Sequence, residues 1–169
     1  MTEQAFAEPR WLSYARTLVG VAEIPGPRHS PVIQRWLVGL RAWWDDDETP
    51  WCGTFVAHCL QASGIGLPRH WYRARAWLDW GATLPASMLG AVVVFERGPG
   101  MGHVGFLAGR HPSGWLQVLG GNQGNRVSIA PFSPDRLLGY RWPAGEPTSE
   151  AYSAVPVIDS RQALSVNEA

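Results

Sequence analysis

The spacing of hydrophobic residues changes at Pro85, and this change limits the folds that the chain can adopt. Before Pro85, apolar residues recur at helical spacing in four segments, near residues 8–19, 31–40, 49–63 and 71–80. After it come short runs rich in β-formers and bounded by glycine, at residues 91–95, 103–107, 115–119, 126–129 and 137–141. Helices followed by strands predict an α+β fold, in which N-terminal helices pack on a C-terminal, largely antiparallel β-sheet.

Chain length and composition predict one domain. The 169 residues, of which 46% are hydrophobic, are enough for an ordinary core. From Pro143 onward the sequence is rich in Ala, Ser, Glu and Pro and shows little periodicity. We therefore expect a domain over residues 1–145 and an extended or disordered tail over residues 146–169.

The charge pattern excludes several classes of partner. Fourteen basic residues balance fourteen acidic ones, so the chain has neither the basic surface of a nucleic-acid-binding protein nor a polybasic membrane patch. The N-terminus has no basic segment followed by an apolar run, and no later segment approaches a membrane span. We expect a monomer made in the cytoplasm without a signal peptide and without stable membrane association.

The segment from Thr49 to Leu60 has the pattern of a helix start with a cysteine in its first turn. Thr49 suits the N-cap and Pro50 the first helical position, which makes Cys52 the third helical residue. Unpaired backbone N–H groups and the helix dipole would there favour the thiolate, as a nucleophilic cysteine requires. The alternative is that Cys52 is a small buried apolar residue.

The second cysteine, Cys59, lies on the same predicted helix as Cys52. A rise of ~1.5 Å per residue separates their Cα atoms by roughly 10 Å. Because a disulfide requires less than about 7 Å, we expect two free thiols. The apolar neighbours of Cys59 predict that it is buried and unreactive.

Among the histidines, His103 is the best candidate for a catalytic base. It opens a predicted strand after a glycine-rich loop that ends at Gly102, where a substrate backbone can approach closely. A structural histidine at the start of a strand is the alternative. The other histidines occupy turns or face away from Cys52 on its own helix: His29, His58, His70 and His111.

A third polar group on the far nitrogen of the imidazole would fix its tautomer. Asn122 lies at the end of the strand after the His103 strand and is our choice for this role. If the strand continues, Gln123 points to the other face, and we assign it to substrate binding. The sequence leaves open whether Asn122 or Gln123 orients the histidine. A glycine–asparagine turn, selected for its backbone geometry, is the alternative reading of this segment.

The acidic run at residues 45–48 precedes the cysteine helix. It suits a solvated loop, but it also suits recognition of a cationic substrate group or of calcium. We assign Glu48 to substrate binding on this ground. Trp51 is assigned to substrate binding because aromatic side chains often line substrate grooves, and Gly102 because a glycine lets a substrate backbone come close. The order C-x5-H-C lacks the ligand spacing of zinc sites, so we expect no metal and no cofactor.

Five motifs occur in order along the chain: PWCGTFV at 50–56, WLDWG at 77–81, GHVGF at 102–106, GGNQ at 120–123 and LGYR at 138–141. This set resembles the phage-associated branch of the CHAP and NlpC-type papain-like peptidases. These are cysteine, histidine-dependent amidohydrolases that cut peptidoglycan. The resemblance covers about residues 8–143 and implies a papain-like fold, with Cys52 as nucleophile, His103 as base and the Asn122 position as orienting group.

The sequence departs from the family pattern in two places. Many CHAP domains have a glutamate two residues before the asparagine, where this chain has Gly120. The oxyanion-binding glutamine of papain-type proteases also has no clear counterpart, which leaves the backbone N–H of Cys52 as the oxyanion donor.

The resemblance implies hydrolysis of an amide bond in the peptidoglycan stem, either the bond from the lactyl group to the first alanine or a peptide bond within the stem. Two alternatives remain, a transpeptidase or acyltransferase of the same fold and a non-catalytic wall-binding module. The resemblance further implies delivery to the periplasm or cell wall, by a holin during phage lysis or by a secretion system as an antibacterial effector. An effector would require a cognate inhibitor (immunity) protein.

Overall fold

The structure, a computed structural model, describes residues 7–159. The α-helices are α1 (Arg10–Arg16), α2 (Pro31–Gly39), α3 (Cys52–Ala62) and α4 (Glu150–Ser153), and 3-10 helices cover Ala74–Asp79 and Pro134–Arg136. The strands are β1 (Ala82–Leu84), β2 (Val92–Gly98), β3 (Met101–Arg110), β4 (Leu116–Gly120), β5 (Ser128–Phe132) and β6 (Leu137–Trp142). Within residues 7–159, no helix combines the length and apolar character needed to cross a membrane.

The six strands form one sheet in the order β1–β6–β2–β3–β4–β5, and all neighbouring strands run antiparallel. This architecture confirms the predicted α+β class. Each of the five strand segments expected from the sequence contributes a strand, β2 to β6. The additional strand β1 has three residues, which is too short for a period of two to be recognised.

Hydrophobic residues cover both faces of the sheet. In β2, Val92 and Val94 belong to the cluster that packs against the helices, while Val93 and Phe95 belong to a second cluster on the opposite face. This division follows from the period of two in a strand. On the helical side, the fully buried Phe55 of α3 contributes about 1.5–3 kcal/mol through burial. Strand β3 therefore lies in the middle of a core that fixes it on both sides.

The helices differ from the sequence prediction mainly at their ends. Ser30 caps α2 through its hydroxyl, which accepts from the Ile33 N–H at 3.4 Å. Arg41 has φ of 58°, a left-handed conformation that a helix cannot continue, so Trp43 and Trp44 lie beyond α2. The helix predicted over residues 71–80 is shorter in the structure and is a 3-10 helix, over Ala74–Asp79.

The described part of the expected C-terminal tail, residues 146–159, packs against the domain. Arg10 Nη1 and Nη2 donate to the two carboxylate oxygens of Glu146 at 2.7 and 2.6 Å. Further along, the Tyr152 carbonyl accepts from the Leu89 N–H at 2.8 Å, and the Ile158 N–H donates to the Arg110 carbonyl at 2.7 Å. Residues 160–169 of the predicted tail lie outside the described residues.

Candidate active site

Helix α3 begins at Cys52, two residues later than the sequence predicted. Trp51 occupies the N-cap, and its side chain makes no capping hydrogen bond. The predicted cap, Thr49, instead belongs to a separate turn, in which Asp46 Oδ1 accepts from the Glu48 and Thr49 N–H groups at 3.1 and 2.6 Å. Cys52 remains in the first turn, where the backbone N–H groups have no acceptor within the helix.

The acidic loop before α3 has a structural function at Asp47, which is fully buried. Its carboxylate accepts from the Ile24 N–H at 2.9 Å, the Ser30 N–H at 2.7 Å and His29 Nδ1 at 2.9 Å. Burial raises the pKa of Asp47, but these donors outweigh burial and hold the pKa below its usual value. The loop therefore ties the approach to α3 to the α1–α2 connection. Within residues 7–159, His, Cys, Asp and Glu side chains form no cluster that could hold a metal ion.

The Cys52 side chain is buried beside His103. Burial raises the pKa of the thiol, but several groups that stabilise the thiolate outweigh burial. These groups are the His103 imidazole, through a hydrogen bond and its charge, and the backbone N–H groups of Val104 and Gly53. The pKa of Cys52 is therefore lowered, as an activated cysteine nucleophile requires.

His103 is held rigidly in β3. It pairs with Phe95 across the β2–β3 ladder and is almost fully buried. Its ring stacks on Phe132 with a centroid distance of 5.0 Å and an interplanar angle of 7°. Because β3 begins at Met101, His103 is the third residue of its strand rather than the first.

Gln123 contacts the imidazole on its far side, at the position that the sequence analysis assigned to Asn122. Gln123 Oε1 lies 2.9 Å from His103 Nε2. Asn122 is buried and has φ of 58°, so the chain turns at this residue and does not continue as a strand. The alternation that would have turned Gln123 to the other face does not apply beyond the end of β4 at Gly120.

The hydrogen bonds of Gln123 determine the orientation of its amide. Gln123 Nε2 donates to the Val118 carbonyl at 3.1 Å and to the Ser128 carbonyl at 2.8 Å. Since carbonyl groups only accept, the Oε1 atom must be the one that faces His103. His103 Nε2 then carries a proton, which leaves Nδ1 as the nitrogen for the hydrogen bond with Cys52.

Two glycines allow close packing here, Gly120 beside the Gln123–His103 contact and Gly121 against helix α3. A Cβ atom at Gly120 would lie 2.2 Å from Gln123 Oε1 and 3.3 Å from His103 Nε2. A Cβ atom at Gly121 would lie 2.6 Å from the Cβ of Phe55. A glycine at residue 120 thus has a physical explanation, because the Gln123 amide occupies the space that a side chain there would fill.

The remaining predicted site residues lie in different environments. Trp51 is 1% exposed and its Nε1 donates to Glu23 Oε1 at 2.7 Å, so its side chain packs in the core. Glu48 is exposed in the loop before α3. Gly102 lines a groove of about 560 Å³ that begins beside His103. The basic residues of this groove were not among the site residues expected from the sequence, although residues 69–75 contain three arginines and a histidine.

In a comparison with known families, residues 44–122 match the family model of the CHAP domain. The matched segment includes the acidic loop, α3, β2 and β3, and ends one residue before Gln123. No curated protein matches the chain.

Proposed function

Because residues 44–122 match the CHAP domain, a family whose members generally hydrolyse peptidoglycan, we propose that this protein cleaves an amide bond of the peptidoglycan stem peptide. The helices and the six-stranded antiparallel sheet are consistent with the papain-like fold of that family. One observation carries the proposal of a thiol mechanism: the pKa of the buried Cys52 is lowered by His103, whose far nitrogen is held by Gln123.

The first chemical step is acylation of Cys52. The thiolate attacks the amide carbonyl carbon, and the negative charge that develops on the carbonyl oxygen is stabilised by the backbone N–H of Cys52 at the start of α3. The imidazolium of His103 then gives its Nδ1 proton to the amide nitrogen as the C–N bond breaks. The products are a free amine and a thioester on Cys52.

The second step is hydrolysis of the thioester. The neutral imidazole of His103 accepts a proton from water at Nδ1 while the water oxygen bonds to the acyl carbon. The C–S bond breaks, a carboxylic acid is released, and the thiolate–imidazolium pair is restored. Gln123 keeps the Nε2 proton in place throughout, so that Nδ1 alone exchanges protons.

The test is digestion of purified peptidoglycan, with mass spectrometry of the soluble fragments. We expect wild-type protein and the matched control Cys59→Ala to release fragments that end in a new amine and a new carboxylate, and Cys52→Ala to release none. Adding a high concentration of an amine distinguishes the rivals, since a transpeptidase would form a new amide and a wall-binding module would release nothing. Fragment release by Cys52→Ala would contradict the thiol mechanism.

We also propose where the enzyme acts. Peptidoglycan lies outside the inner membrane, so the substrate is reached in the periplasm or cell wall, after delivery by a holin in phage lysis or by a secretion system as an antibacterial effector. The effector route would include a cognate immunity protein. Expression in a Gram-negative host, with and without an added export signal, tests the site of action. Lysis is expected only for the exported wild type, and equal toxicity of cytosolic protein or of exported Cys52→Ala would contradict it.

A further inference from the structure

A groove of about 560 Å³ lies directly beside the candidate active site. Its wall includes Pro50, two residues before Cys52, and Gly102, the residue before His103. The 3-10 helix Ala74–Asp79 and the β2–β3 hairpin form its sides. A substrate whose scissile amide is at Cys52 can therefore extend into this groove.

The groove has an excess of basic residues in a protein whose formal net charge is zero. Among the described residues, its lining includes Arg73, Arg75 and Arg97, with His70 beside them, against one acidic residue, Asp79. Glu96, which is outside the lining, pairs with Arg75 Nη2 at 3.6 Å and offsets part of this charge. Since the whole chain balances fourteen basic with fourteen acidic residues, this excess is a local property of the groove. A concave surface of one charge sign concentrates ligands of the opposite sign.

Two of the arginines have different roles. Arg75 shapes the hairpin, because its Nε donates to the Met101 carbonyl at 2.9 Å and its Nη2 to the Gly98 carbonyl at 3.3 Å. Arg73 is exposed, and its guanidinium carbon lies 5.7 Å from the centroid of the Tyr72 ring. Packing on an aromatic face holds a guanidinium flat while its N–H edges can still bind a carboxylate in a bidentate manner.

Resting on the function proposed above, we infer that this groove binds a free carboxylate of the stem peptide while Cys52 attacks a neighbouring amide. In the stem, the γ-linked glutamate has its α-carboxylate within about one residue of both the lactyl–alanine amide and the first peptide bonds of the stem. Some cell walls carry this group as a carboxamide, which has the same shape and no charge. The groove thus gives the enzyme a preference for the acid form of the substrate.

The test uses two synthetic muropeptides that differ only in this group, α-carboxylate against α-carboxamide. For the wild type we expect kcat/KM to be roughly tenfold higher for the carboxylate, the size of one charge-assisted hydrogen-bonded contact. Arg73→Gln should reduce this ratio towards one, and Arg73→Lys should retain part of it. Arg28→Gln, an exposed arginine outside the groove, is the matched control and should keep the wild-type ratio.

The outcomes separate this inference from the proposed function. Equal kcat/KM for both muropeptides in the wild type would overturn the inference and leave the hydrolase proposal standing. Cleavage of neither muropeptide nor of whole peptidoglycan would overturn both. An unchanged ratio in Arg73→Gln would overturn the assignment of the groove. The wild-type comparison requires no variant, so the result does not depend on how a variant folds.

Discussion

The two cysteines of this protein share one helix and are both buried, yet the pKa values of their thiols are shifted in opposite directions. The pKa of Cys59 is raised well above its usual value by burial. Burial raises the pKa of Cys52 as well, but contacts with His103 and with the backbone N–H groups of Val104 and Gly53 outweigh it and lower the pKa. Both residues are free thiols.

The difference shows that burial alone does not decide the reactivity of a cysteine. Cys59 lies in the third turn of α3, away from the unpaired N–H groups of the helix start and among apolar side chains. Cys52 lies in the first turn and faces β3, which supplies both the imidazole and the Val104 N–H. Long-range packing of α3 on the sheet therefore adds the imidazole and the Val104 N–H to the difference in helix position that the sequence predicted.

Removing each thiol tests the comparison most strongly. Cys52→Ala should lower the rate of peptidoglycan hydrolysis by about 10³-fold or more, because no other group can form the acyl intermediate. Cys59→Ala should retain most of the activity, since its sulfur contacts only the core. Turnover by zymography and fragment release measures both variants, and loss of activity in Cys59→Ala with an intact fold would break the comparison.

Removing His103 should make Cys52 resemble Cys59. The rate of hydrolysis in His103→Ala should fall by roughly 10²–10⁴-fold, the contribution of a general acid–base group. The pKa of Cys52 should also rise, because the hydrogen bond and the charge of the imidazole disappear while burial remains.

Alkylation by iodoacetamide, mapped by peptide mass between pH 5 and pH 10, measures this shift. In the wild type, Cys52 should react at neutral pH and Cys59 should not, because the thiolate is the reactive form. In His103→Ala the half-maximal rate of Cys52 should move to higher pH, and each unit of pKa lowers the thiolate fraction at pH 7 about tenfold. Preferential labelling of Cys59 in the folded wild type would contradict the assignment.

The sequence was most informative where local pattern and chemistry coincide. Short runs of β-formers bounded by glycine after Pro85 predicted strands β2 to β6, and the helix start predicted that Cys52 lies in the first turn. Sequence spacing could not choose between Asn122 and Gln123, since that choice depends on the positive φ of Asn122 and on the Val118 and Ser128 carbonyls that turn the Gln123 amide. Nor could it show that Trp51 is buried, because both a core and a groove use aromatic residues.

Removing the contact between Gln123 and His103 should also weaken the activation of Cys52 by His103, and so reduce its difference from Cys59. Gln123→Ala should reduce kcat by roughly 10- to 100-fold, less than the full general acid–base contribution of about 10²–10⁴, because His103 remains but its tautomer is no longer fixed. Asn122→Gly, which tolerates the positive φ, is the matched variant and should lose less activity. Steady-state kinetics on a soluble muropeptide measures both, and a larger loss for Asn122→Gly would return the orienting role to Asn122.

The smallest expected effect concerns the position of the helix start, on which the environment of Cys52 depends. If α3 began at a Thr49 cap, Thr49→Ala would lower the free energy of unfolding by about 1 kcal/mol. In the structure Trp51 is the N-cap and Thr49 is an exposed residue of the preceding turn, so we expect a loss below about 0.5 kcal/mol. Ser30→Ala is the matched control, because the buried Ser30 hydroxyl does cap α2, and it should lose about 1 kcal/mol. Urea unfolding of the two variants and the wild type measures these free energies of unfolding. Equal losses in the two variants would move the start of α3 back to Thr49. A smaller loss for Thr49→Ala than for Ser30→Ala supports a first turn that begins at Cys52.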